Sequence, residues 1–206
     1  MDASVVGSGY VGTTVAACLA DLGHDVVAVD IDEETVARLD AGETHIHEPG
    51  LDPLVSAHAG DRLTATTNHT AVADTDVTFL AAETPAREDG SIDPSALLAA
   101  AEDVGEAVAD KDGYHLIVVK STVLPDVVEE ELVPAIERRG SMCLRTDVTN
   151  RTAETTVQLR FESARTTRDF RVTRRRRCRG RHPRTGVRGR SETRPPPPSC
   201  FGSLRL

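Results

Sequence analysis

Residues 4–12 of this 206-residue chain read SVVGSGYVG, a short apolar run followed by three glycines at the spacing GxGxxG. The apolar run predicts a buried parallel strand. The alanine-rich segment from Tyr10 to Leu22 predicts a helix that begins inside the glycine turn and ends at Gly23. Strand, glycine turn and helix in this order are typical of the first turn of a dinucleotide-binding unit.

Each glycine of the turn has a separate predicted task. Gly7 permits the tight turn, and Gly12 lets the helix pack closely on the strand. Gly9 has no side chain, so a pyrophosphate can approach the backbone there. The helix N-terminus adds free N–H groups and the positive end of its dipole. The turn therefore predicts a phosphate site.

Asp30 ends a second predicted strand, Val26–Val29, and lies 18 residues after Gly12. An acid at this place accepts hydrogen bonds from the adenosine ribose hydroxyls. A carboxylate also repels a 2′-phosphate, and no arginine follows directly. The pattern predicts NAD rather than NADP as the cofactor. The alternative is an α/β domain whose glycine turn binds no dinucleotide.

Strands and helices alternate along the next hundred residues. Asp32 is a predicted N-cap for a helix to about Leu39. Alternation of this kind predicts an α/β fold, a Rossmann-type doubly wound parallel sheet with helices on both faces. The further predicted elements are a short helix to about His58, a strand at 76–81, a helix at 94–108, a strand at 115–119 and a helix after Pro125.

The charge distribution divides the chain near residue 140. Residues 1–140 carry a net charge of -21, and residues 141–206 carry +12, with arginine as the only basic residue type in the second part. An acidic, lysine-poor surface predicts a salt-loving host, where ions screen the self-repulsion. An ordinary acidic bacterial enzyme is the alternative.

Residues 141–206 show no sustained helical or strand period, and they are rich in arginine and proline. We therefore predict a folded domain at 1–140 followed by a disordered basic tail at 141–206. Such a tail is open to two interpretations. It could neutralise phosphates of a nucleic acid, or it could be the product of a shifted reading frame near residue 140. The abrupt change in composition favours the frameshift, and a nucleic acid is not an expected partner.

Localisation and metal binding are predicted from what the sequence lacks. There is no long apolar run and no signal-peptide pattern, so we expect a cytoplasmic protein without a membrane span. The four cysteines are scattered, which predicts neither a zinc site nor a disulfide framework. Cys18 lies among alanines and is predicted to be a buried thiol. His45 and His47 are predicted to be solvated loop residues, not metal ligands.

Five ordered motifs resemble the UDP-glucose/GDP-mannose dehydrogenase family. They are GSGYVG at 7–12, VDID at 29–32, EPGL at 48–51, TP at 84–85 with the following DGS.D loop, and KSTV at 120–123. Within the family, the motifs are most similar to those of the UDP-glucose 6-dehydrogenases of salt-loving archaea. The resemblance implies an NAD-dependent, four-electron oxidation of the C6 alcohol of a nucleotide sugar to a carboxylate.

The resemblance also implies roles for particular residues. Thr84 would contact the cofactor, and Val11 would pack against it. Thr122 would lie near the nicotinamide and help to place a catalytic water. Without the resemblance, both threonines are better explained as turn-forming hydroxyls. The predicted cofactor-binding residues are Gly7, Gly9, Tyr10, Val11, Gly12, Asp30, Thr84 and Thr122.

The chain departs from the family pattern in several places. Thr35 stands where many members have lysine, and Glu83 precedes the TP motif where an uncharged residue is usual. The family's NPEF-type glutamate and the nucleophilic cysteine of its GGxCFPKD motif are absent, and Cys200-Phe201-Gly202 is assigned no catalytic role. We therefore expect a truncated, inactive enzyme that lacks the sugar-binding half and the helix through which full-length relatives form homodimers.

Overall fold

The computed structural model describes residues 1–111, 113–139, 143–150 and 155–162, all within the first of two units that divide at residue 169. Five adjacent strands of one sheet are parallel and lie in the order β3-β2-β1-β4-β5, with β3 at the edge of the sheet. The chain crosses from β3 to β4 past β1, which is the doubly wound arrangement that the sequence predicts. The five strands are β1 (Asp2–Val6), β2 (Asp25–Val29), β3 (Leu63–Thr66), β4 (Val77–Leu80) and β5 (Tyr114–Val119).

Helices cover both faces of this sheet, as the predicted Rossmann-type fold requires. Adjacent residues of β1 point to opposite faces, so Val5 packs in the cluster that holds α1 and α3, while Val6 packs in the cluster that holds α4 and α6. The helices are α1 (Tyr10–Asp21), α2 (Glu33–Asp40), α3 (Leu51–His58), a 3-10 helix (His69–Asp74), α4 (Ser95–Ala107), α5 (Pro125–Val127), a π-helical turn (Val128–Leu132) and α6 (Val133–Arg139).

The structure adds strands that the sequence patterns do not predict. β3 contributes a single fully buried residue, Leu63, so its apolar signal is weak. Two further strands, β6 (Cys143–Asn150) and β7 (Thr155–Glu162), lie beyond the predicted domain boundary at residue 140. β7 pairs antiparallel with β5, and β6 pairs antiparallel with β7. The sequence of β7, TTVQLRFE, alternates apolar and polar residues as a strand does. The predictions for the rest of 141–206 lie outside the described residues.

The prediction of a buried thiol at Cys18 is wrong. Cys18 is exposed on α1. The buried face of α1 runs through Thr13, Ala16, Ala17 and Ala20, at helical spacing, and position 18 falls on the opposite side. Composition places the residue on an apolar helix, but the phase of the helix decides which face meets the sheet.

None of the helices within the described ranges is long and apolar enough to cross a membrane.

A chain of buried polar side chains links three strands on one face of the sheet. Ser4 Oγ lies 2.7 Å from Thr78 Oγ1, and Thr78 Oγ1 lies 2.7 Å from His115 Nε2. On the other side of the ring, Lys111 Nζ lies 3.1 Å from His115 Nδ1. Burial, and to a smaller extent the neighbouring Lys111 ammonium, together lower the pKa of His115 to about 4. The imidazole is therefore neutral near pH 7.

The buried histidine predicts a loss of stability in acid. The unfolded chain takes up a proton near the ordinary histidine pKa of 6.5, while folded His115 does so only near 4. The contribution of His115 to the free energy of unfolding is complete above the unfolded pKa of 6.5. It falls by up to about 3 kcal/mol as the pH drops from there to the folded pKa of about 4. Urea unfolding measured from pH 7 to pH 4 should show this slope. The variant His115→Gln should lose the part of the pH dependence that His115 causes. An unchanged slope in the variant would show that His115 is not its source.

Candidate functional site

The carboxyl ends of the parallel strands border an open cleft of about 710 Å³. This is the edge at which open α/β sheets bind their ligands. Of the eight predicted cofactor-binding residues, all but Gly12 line the cleft. The seven lining residues are Gly7, Gly9, Tyr10, Val11, Asp30, Thr84 and Thr122.

Two of the three glycines are required by close backbone packing. A Cβ at Gly12 would lie 1.8 Å from the Gly7 carbonyl oxygen, so only glycine lets α1 start this close to β1. Gly7 has a φ of +94°, and a Cβ there would lie 2.6 Å from the backbone nitrogen of Ala82, just after β4. The turn is therefore fixed against two strand ends at once.

Gly9 differs from the other two glycines. It caps the N-terminus of α1 in an extended conformation, and a Cβ at this position would meet nothing within 4 Å. Any residue could occupy the position without internal strain. Because Gly9 lines the cleft, a side chain there would take up space beside the free N–H groups of the helix N-terminus. The missing side chain leaves room for a ligand.

Ser8, between the first two glycines, is a cleft residue that the sequence analysis does not single out. Its side chain is buried, with 1% of the residue exposed, and its Oγ has no hydrogen-bond partner among the described residues. Buried hydroxyls are nearly always paired, so an unpaired one at a binding cleft indicates a place for an external acceptor. An oxygen of a pyrophosphate is such an acceptor. This observation fits a dinucleotide to the turn.

Asp30 is held in place by backbone groups. Its Oδ2 accepts from the Ser8 N–H at 2.5 Å, and its Oδ1 accepts from the Asp32 N–H at 2.9 Å. A carboxylate has about four acceptor positions. These two bonds leave acceptor capacity on both oxygens, which suits a pair of ribose hydroxyls.

The two predicted threonines connect neighbouring strand ends. Thr84 Oγ1 donates to the Thr122 carbonyl oxygen at 3.0 Å, which ties the loop after β4 to the loop after β5. Ser121 Oγ reinforces the link by donating to the Ala82 carbonyl oxygen at 2.5 Å. The Thr84 hydroxyl thus links two loops that lie far apart in sequence, and both threonines line the cleft.

Both departures from the family pattern lie at the cleft. Thr35 is buried and helps to cap α2, because its hydroxyl donates to Asp32 Oδ2 at 2.6 Å. This bond and the backbone N–H groups of α2 lower the pKa of Asp32. Glu83 also lines the cleft and adds a carboxylate to it. Position 35 therefore stabilises a helix end here and brings no positive charge to the site.

Metal binding finds no support in the part of the chain that the structure describes. No three His, Cys, Asp or Glu residues are grouped there in a way that could hold an ion. His45 lines the cleft, and the backbone carbonyl of His47 lies 3.4 Å from the Tyr10 hydroxyl.

Comparison with known proteins identifies the family of this chain. Residues 1–156 match the model of the UDP-glucose/GDP-mannose dehydrogenase family, NAD binding domain. The chain belongs to this family. The sheet, the glycine turn and the acid described above belong to the NAD-binding domain of this family, and NAD is the cofactor.

Similar proteins include a curated relative and two solved structures. UDP-glucose 6-dehydrogenase AglM of Haloferax volcanii is 57% identical over 137 residues, which are 66% of this chain and 32% of the relative. GDP-mannose dehydrogenase of Pseudomonas aeruginosa, solved as a ternary complex, superimposes with a TM-score of 0.65 at 36% identity, over 68% of this chain and 33% of that one.

A UDP-glucose dehydrogenase from Pyrobaculum islandicum gives a TM-score of 0.64 at 38% identity, over 74% of this chain and 37% of that chain. The chain thus spans about a third of the length of the curated relatives it matches.

Alanine at two glycines should separate binding from folding. Gly12→Ala forces a Cβ into the Gly7 carbonyl and should lower the free energy of unfolding by at least about 2 kcal/mol, with loss of NAD binding. Gly9→Ala meets no protein atom, so it should cost only the weaker N-cap preference of alanine, about 1 kcal/mol or less, while NAD binding weakens. Urea unfolding and calorimetric titration measure the two effects. Equal NAD affinity in Gly9→Ala and the unchanged chain would contradict the phosphate site.

Proposed function

We propose that this chain provides the NAD-binding half of a UDP-glucose 6-dehydrogenase. The observation that carries the proposal is the turn itself: an open position at Gly9, an unpaired buried hydroxyl at Ser8 and a backbone-held carboxylate at Asp30 border one cleft. The choice of UDP-glucose rests on the similarity to the Haloferax volcanii enzyme, which is higher than the 37% identity to GDP-mannose 6-dehydrogenase of Pseudomonas aeruginosa.

In this proposal the residues of the cleft orient the cofactor along the edge of the sheet. Asp30 accepts hydrogen bonds from the adenosine ribose. The glycine turn and the N-terminus of α1 bind the pyrophosphate, because free N–H groups and the helix dipole favour negative charge. Thr84 and Thr122 lie at the ends of the next strands and receive the nicotinamide. A bound NAD would supply a hydride acceptor, and the four-electron oxidation of the family would consume two NAD per sugar.

We further propose that the chain by itself binds NAD without completing the oxidation. In the family, a cysteine carries the second oxidation as a thioester. Cys18, the cysteine whose side chain the structure describes, is exposed on α1 and does not line the cleft. The GGxCFPKD motif does not occur in the 206 residues. Among the residues that the structure describes, the proposed machinery therefore has no thiolate against the nicotinamide.

Cofactor preference tests the role of Asp30. NAD should bind at least roughly tenfold more tightly than NADP, because the 2′-phosphate of NADP would lie against a carboxylate. Because residues 1–140 carry a net charge of -21, we infer a salt-loving host and would run the titrations in molar KCl. The variant Asp30→Ser should reduce the difference in affinity between NAD and NADP. Tighter binding of NADP by the unchanged chain would overturn the assignment of Asp30.

Turnover tests the second part of the proposal. The chain mixed with NAD and UDP-glucose should form no NADH, while the full-length Haloferax volcanii enzyme, as the positive control, should form two NADH per sugar. Absorbance of NADH follows the reaction. Steady NADH formation by this chain alone would show that a nucleophile and a sugar site are present after all.

A further inference from the structure

The cleft continues beyond the residues that the sequence predicts, along one face of α4. The residues of α4 that line it are spaced i, i+3, i+4 and i+7, so they form a single stripe. Three of them are alanines, whose methyl groups leave a flat slot, and the fourth is a carboxylate. They are Ala96, Ala99, Ala100 and Asp103.

His69 closes the slot opposite α4. It is the first residue of the 3-10 helix that follows β3, and its Nε2 lies 3.8 Å from Asp103 Oδ2. The His69 side chain is 19% exposed and that of Asp103 is 45% exposed. The carboxylate therefore contacts the ring on one side and keeps an open side at the cleft.

The position of Asp30 decides which part of a dinucleotide reaches this slot. The Asp30 N–H donates to the Thr66 carbonyl oxygen at 3.2 Å, so the ribose acid adjoins the end of β3, and the chain runs from there to His69. The glycine turn lies on the other side of Asp30 and takes the pyrophosphate. The base on the same ribose is then directed away from the turn, between the exposed side chain of Ile31 and the alanines of α4.

We propose that Asp103, which lies beside His69, recognises the adenine base through its 6-amino group. This inference rests on the proposed binding of NAD. A carboxylate only accepts hydrogen bonds, and the 6-amino group only donates them. A base with an oxygen at the same position would place an acceptor against the carboxylate. Asp103 is thus a specificity-determining residue.

The test compares NAD with nicotinamide hypoxanthine dinucleotide, which carries an oxygen in place of the 6-amino group. The complete chain should bind NAD roughly tenfold more tightly, which is the ratio expected for one hydrogen bond to a charged acceptor. Asp103→Asn should bring the ratio close to one, because its amide both donates and accepts. Asp110→Asn, which removes an exposed carboxylate outside the cleft, should keep the ratio of the unchanged chain.

The remaining outcomes distinguish a failure of the role of Asp103 from a failure of NAD binding. Equal affinities of the unchanged chain for the two dinucleotides overturn the role of Asp103 and leave NAD binding intact, and this comparison needs no variant to fold. An Asp103→Asn variant that weakens both dinucleotides by the same factor shows that the His69–Asp103 contact merely ties the 3-10 helix to α4. Failure to bind either dinucleotide overturns the proposed function together with this inference.

Discussion

The approach of α1 to β1 depends on a hydrogen atom at Gly12 where any other residue would place a Cβ 1.8 Å from the Gly7 carbonyl oxygen. This contact brings the helix N-terminus to the end of the central strand. It also fixes Gly7 against Ala82, so the loop after β4 borders the same cleft. The phosphate site, the ribose acid and the two threonines are all positioned relative to that one close approach.

The electrostatics of the cleft are unusual for a protein that binds an anionic cofactor. Asp30, Glu83 and Asp103 line it, and Lys120 is the one lysine or arginine among the described residues that do. Apart from Lys120, the groups that can attract the pyrophosphate are neutral: backbone N–H donors, the dipole of α1 and the Ser8 hydroxyl. Such dipoles act at short range. High salt weakens the repulsion between carboxylates and phosphates and leaves these close contacts in place.

Features that depend on local sequence could be predicted from it. The glycine turn follows from the steric needs of Gly7 and Gly12, and the cap at Asp32, whose side chain accepts from the first N–H groups of α2, follows from N-cap chemistry. The ends of parallel strands meet at one edge, and Asp30, predicted from its place after a strand, and Thr84, predicted from the family resemblance, both line the cleft there.

Features that depend on packing could not be predicted. The exposure of Cys18 is set by the rotation of α1 against the sheet, and β3 is stabilised by pairing with β2 more than by its own apolar residues. His69 and Asp103 are separated by a strand and a loop in sequence, and only the contact between the 3-10 helix and α4 brings them together. The unpaired Ser8 hydroxyl is visible only once its surroundings are known.

The most direct test of the account is a crystal structure of this chain with NAD. The account predicts the pyrophosphate against the backbone of Gly9 and the Ser8 hydroxyl, the adenosine ribose hydroxyls on Asp30, and the nicotinamide toward Thr84 and Thr122. A dinucleotide bound elsewhere, or bound in this cleft with its ribose away from Asp30, would contradict it.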